Sequence, residues 1–80
     1  MELNRYAVQY KNKNGSGYLW FPVLASDESN ALARVGSRGF PVVKAGIVSE
    51  IEIDGISDAD ERESLRALQE APPESWEPIG

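Results

Sequence analysis

Arg5-Tyr6-Ala7-Val8-Gln9-Tyr10-Lys11, then Asn12-Lys13-Asn14-Gly15-Ser16-Gly17, then Tyr18-Leu19-Trp20-Phe21-Pro22-Val23-Leu24-Ala25: this run decides the fold. Its first part alternates, with Tyr6, Val8 and Tyr10 on one side, which is the period-two pattern of a half-buried strand. Its middle part is a turn, in which Asn14-Gly15 offers the positive φ angles that a tight reversal needs. Its third part is a second strand and completes a hairpin. That strand is apolar on both sides, with Leu19, Phe21, Val23 and Ala25 on one and Tyr18, Trp20 and Leu24 on the other. Pro22 has no N–H to give to a ladder, so the strand belongs at a sheet edge or carries a bulge.

Beyond the hairpin, Ser26-Asp27 offers an N-cap and Glu28 suits the dipole of a first helical turn. Ala31, Leu32 and Val35 recur at helical spacing, and Gly36 is a natural stop. A helix this short is not stable alone and must pack on the sheet. Ser37-Arg38-Gly39 reads as loop. From Phe40 to Ile53 the chain turns β-like, with Pro41 near its start, a break at Ala45-Gly46, and Ile47, Ile51 and Ile53 alternating against Val48, Glu50 and Glu52. Asp54-Gly55 ends this strand. Asp58 followed by Glu61 matches a capping box with Asp in the capping place. A second helix then runs to Ala71 on a narrow stripe of Leu65 and Leu68, helped by Ala67 and Ala71, until Pro72-Pro73 stops it.

The order ββαβα has a geometric consequence. A helix after the hairpin returns the chain parallel to the second strand and antiparallel to the first. Pairing the third strand with the first gives the order 2-1-3, all antiparallel, with Pro22 on an edge where it is tolerated; pairing it with the second needs a parallel crossover and a more central Pro22, so the first is favoured. The expected architecture is therefore one α+β domain over residues 1–71. It has a three-stranded antiparallel sheet, a short helix packed on it, a second acidic helix, and a C-terminal tail over 72–80.

Composition narrows the function. Eighty residues form one domain with a thin core. The absence of cysteine removes disulfides and thiolate nucleophiles and fits a reducing, cytoplasmic compartment; the absence of histidine removes the commonest general base and metal ligand. The start has no apolar core of a signal peptide. The longest mainly apolar run, Tyr18 to Ala25, falls far short of the roughly 18–20 residues that cross a bilayer. No enzyme is expected, since Glu50 and Glu52 read as a solvent face and the chain leaves little room for a cleft. No metal or cofactor is expected either: Asp54, Asp58, Asp60 and Glu61 lack the spacing of a calcium loop, and a capped helix start accounts for them.

Binding is the class that remains. Residues 1–49 hold six basic and three acidic side chains, and residues 50–80 hold two basic and ten acidic ones, within a net charge of −5. Two surfaces for a protein partner follow. One is the second strand: if the helices cover Leu19, Phe21 and Val23, then Tyr18 and Trp20, next to Phe21, face outward as an edge that recruits a strand from a partner or a second copy. The other arrangement covers both faces, one with each helix. The second surface is the acidic section, with Asp58, Asp60, Glu61 and Glu63 on the helix and Trp76 as an aromatic anchor in the tail. The alternative function is a small RNA- or DNA-binding module, with Arg34, Arg38 and Lys44 as a basic patch and Tyr18, Trp20 or Phe40 as stacking platforms. Gly36-Ser37-Arg38-Gly39 resembles the backbone-clamping GxxG loop of KH domains over those four residues, although here a strand follows it.

In length, acidity and β-β-α-β style the chain resembles small products of phages and mobile elements, among them the anti-CRISPR proteins. The resemblance covers those general features and no motif, so no residue role is carried over. It implies a cytoplasmic inhibitor or adaptor that blocks a host effector complex by surface contact, with residues 50–77 as a surface that mimics nucleic acid.

Overall fold

A computed structural model describes residues 3–15 and 17–71. Strand β1 (Asn4–Lys11) and strand β2 (Tyr18–Ala25) form the hairpin, and helix α1 (Glu28–Gly36) leads to strand β3 (Val42–Ile47). Two single 3-10 turns, Val48–Glu50 and Ile53–Gly55, then carry the chain to helix α2 (Ala59–Glu70). The sheet order is β2-β1-β3 with both pairings antiparallel, as the connectivity predicts. Pro22 lies on the β2 edge opposite Ala7.

The double apolar character of β2 has a plain cause: both faces of the sheet are covered. On one face α1 packs Ala31 and Val35 against Tyr6, Val8, Val23 and Ala25, with Phe21, Leu32, Phe40, Val42, Ala45 and Ile47 around them. On the other, Leu65 of α2 meets Ala7, Trp20 and Val48, with Leu24, Ile51, Ile53, Ile56 and Leu68 around them. The arrangement that leaves Trp20 outward is therefore not the one adopted.

Helix α1 starts as read, with the Asp27 carboxylate accepting from the Asn30 N–H at 2.7 Å. Its end differs. Gly36 lies inside the last turn, and the left-handed residue is Gly39 at φ +93°. The hairpin differs in the same way, because the positive φ falls on Gly17 (+92°) and not on Asn14-Gly15. A Cβ at Gly17 would stand 2.8 Å from Asp58 Oδ2, whereas one at Gly15 meets only Asn12 Nδ2 at 3.6 Å. Gly17→Ala is therefore expected to cost about 1–3 kcal/mol, combining left-handed strain with disturbance of the α2 cap. Gly15→Ala is expected to stay within about 0.5 kcal/mol of the parent in urea unfolding.

The third strand is shorter than its β-like sequence suggests. It ends at Ile47, and the expected alternation through Ile53 is replaced by the two 3-10 turns. Val48 is buried, and Ile51 and Ile53 pack into the α2-side core, so all three serve one face. The chain must leave the sheet here to reach α2 across that face. Gly46 permits the fold-back, since a Cβ there would lie 3.3 Å from Ile51 Cγ1. The Gln69 amide holds the crossing by donating to the Val48 and Ile51 carbonyls at 3.1 and 3.0 Å. No helix among the described residues is long and apolar enough to cross a membrane.

Candidate functional site

The aromatic and acidic candidates separate into internal and external groups. Trp20 is 6% exposed, and its ring N–H donates to Glu61 Oε2 at 2.9 Å. The Gln9 side-chain amide donates to the same oxygen at 2.8 Å. Glu61 is itself 8% exposed, so a carboxylate read as surface acid is an internal acceptor for two neutral donors. It does not close the expected capping box; its side chain turns across to the sheet. Asp58 does cap α2, accepting from the N–H groups of Asp60 (2.8 Å) and Glu61 (3.2 Å). Phe21 is half-buried in a ring cluster with Tyr10 and Phe40, at centroid distances of 6.4 and 5.0 Å. Of the proposed partner residues, Tyr18, Asp58, Asp60 and Glu63 are exposed, Asp58 while capping α2. Trp76 lies outside the described residues.

The basic candidates do not form one patch. Lys44 stands opposite Gln9 on the α2 side of the sheet, with Nζ 6.0 Å from the Trp20 ring centroid. Arg34 and Arg38 belong to the end of α1 and the turn after it, on the other side. The GxxG loop has no amide to offer a phosphate at its last three residues. The N–H groups of Ser37, Arg38 and Gly39 donate to the carbonyls of Ala33, Val35 and Gly36.

What the fold does set up is a contrast between its two sheet edges. On β2, Ser64 of α2 occupies the outward backbone of Trp20, its Oγ accepting from the N–H at 3.1 Å and donating to the carbonyl at 3.3 Å. Two residues on, Pro22 has no N–H at all. A serine and a proline thus interrupt this edge for any added strand. Because the backbone N–H and C=O of Trp20 point away from β1, its partner Gln9 turns its own N–H and C=O to β3, where Lys44 stands opposite. By the same alternation Ala7 faces Gly46, so the Ala45 N–H and C=O and the Ile47 N–H point away from the sheet. No described residue bonds to those three groups. Beside them Val43 is 51% exposed, next to an irregularity of register opposite Gln9 and Tyr10.

Ser64, Val43 and Ala45 did not stand out in the sequence. Ser64 had one legible sign, its place three residues after Glu61 on the same helix face. The open edge had none, because strand order decides which backbone groups lack partners. Comparison with models of known protein families, with curated proteins and with solved structures finds no match to this chain.

Proposed function

We propose that the protein is a non-enzymatic binding module that takes an extended segment of another protein onto its β3 edge, with the cytoplasm as its compartment. One observation carries this reading: the β2 edge is plugged by Ser64 and Pro22, while the β3 edge presents backbone groups that have no partner among the described residues, beside an exposed Val43. Strand addition draws affinity from main-chain hydrogen bonds and specificity from alternate side chains. The narrower form of the proposal is an inhibitor or adaptor acting on a host complex, for which the exposed acids Asp60 and Glu63 offer a second contact. The β3 edge carries this role in place of β2, because Trp20 is occupied internally by Glu61.

Val43→Lys tests this with little risk to the fold, since the side chain is half in solvent. Protein captured by the parent chain from nuclease-treated lysate of the source cells should fall about tenfold or more with Val43→Lys as bait, the loss of an apolar cross-strand contact together with a misplaced charge. An unchanged set of captured proteins would remove β3 from the interface. Loss of all capture on nuclease treatment would favour a nucleic-acid reading instead.

A further inference from the structure

We infer that one partner for the β3 edge is the β3 edge of a second copy, the two strands pairing antiparallel about a two-fold axis at Ala45. The inference rests on the reading of β3 as a binding edge and names its occupant. The first support is exclusion. A second copy cannot offer β2 for an uninterrupted ladder, because Ser64 and Pro22 block that edge in every copy. Head-to-tail β2–β3 stacking, which would grow an open fibre, is thereby suppressed, and the isologous β3–β3 pairing closes on itself.

The second support is the register. The outward backbone groups belong to the odd-numbered positions Ala45 and Ile47, so an axis at Ala45 brings two Ala45 residues into a hydrogen-bonded pair that exchanges both N–H···O bonds. That register sets Lys44 opposite Gly46 of the second copy and Val43 opposite its Ile47. Lys44, the only charged side chain of β3, then faces a residue with no side chain rather than another lysine. The exposed Val43 gains an apolar partner on each side of the axis. Shifting the axis one residue toward the N-terminus would place Lys44 opposite Lys44, and shifting it one residue the other way, to Gly46, would leave only Ala45 to Ile47 of each strand overlapping, because β3 ends at Ile47. Lysine and the register irregularity at Val43 are devices that discourage indiscriminate pairing at an edge. Of the three registers, the one about Ala45 alone overlaps Val43 to Ile47 of each strand without setting lysine opposite lysine.

Sedimentation equilibrium of the full chain, read with amide exchange by NMR at low and high protein concentration, tests the inference. A reversible dimer is expected, with the Ala45 and Ile47 amides gaining protection as concentration rises. Val43→Lys should weaken the dimer about tenfold while keeping a folded spectrum, because the Val43–Ile47 contact occurs twice per dimer and its loss counts twice. A chain that stays monomeric at millimolar concentration, with both amides exchanging freely, would overturn the self-pairing; the capture experiment with Val43→Lys would still report on foreign strands. A dimer that Val43→Lys leaves intact, with the two amides unprotected, would overturn it as well by assigning association to another surface. Loss of capture and of dimer together in the variant would support both readings.

Discussion

Trp20→Ala is expected to cost about 3–5 kcal/mol, enough to unfold a substantial fraction of a domain whose whole stability is about 4–12 kcal/mol. The ring is the largest side chain in the α2-side core, touching the layer of Ala7, Val48 and Leu65. Removing it opens a cavity and also strips Glu61 Oε2 of one of its two donors, leaving a buried carboxylate held by Gln9 alone. Trp20→Phe, which keeps most of the volume and loses the N–H, is expected to cost about 1–2 kcal/mol. Glu61→Gln offers the complementary control. Both donors share one oxygen, so an amide oxygen in that place accepts both, and the variant should stay within about 1 kcal/mol of the parent. Urea denaturation of the three variants checks the series. If Trp20→Ala left the unfolding midpoint unchanged and abolished partner capture, Trp20 would be an exposed contact and not a core residue.

The second large effect lies across the same interface. Leu65 is fully buried and is the main apolar anchor of α2, with Leu68 half-buried beside it. Leu65→Ala should cost about 2–5 kcal/mol, and Leu68→Ala less. The consequence reaches beyond stability, because α2 also carries Ser64, which occupies the outward backbone of Trp20. Loosening the helix uncovers an eight-residue edge strand that is apolar on both faces. Such an edge is a template for aggregation. Leu65→Ala is therefore expected to scatter light on mild heating at concentrations where the parent stays clear, with α2 amides exchanging before those of β1. Equal protection of α2 and β1 in the variant would show that the helix does not detach as a unit.

Much of this was readable one element at a time. The hairpin and α1 follow from alternation over Arg5 to Lys11, the Asn12–Gly17 turn, and the Asp27 cap, all of which act within a few residues. Pro22 fixed β2 as an edge by the one hydrogen bond it cannot make. With a helix between β2 and β3, connectivity allows β3 beside β1 or parallel beside β2, and Pro22 favours the first, which gives the order 2-1-3 that the fold adopts. The glycine conformations were less legible. Whether Gly15 or Gly17 takes the positive φ depends on how the turn meets Asp58, forty-one positions later in the chain. The β-like run past Ile47 misled because isoleucine and valine suit a strand and a buried crossing equally well. Only the path to α2 separates the two.

Glu61 and Trp20 mark where local reading stops. The Asp58–Glu61 spacing is that of a capping box, and its Asp58 half forms; the other half is lost to donors on two strands that the helix meets only once folded. Trp20 read as a surface aromatic in one arrangement and as core in the other, because β2 alone cannot say how many of its faces are covered. The sequence by itself therefore determined the hairpin, the two helices and the start of β3, and the proline that disqualifies one edge and favours the order 2-1-3. Those features depend on short-range periodicity, backbone chemistry and connectivity. The tertiary structure decided that α2 closes the second face, buries Trp20 and Glu61, plugs β2 with Ser64 and leaves β3 open, because each of these is a meeting of groups far apart in the chain.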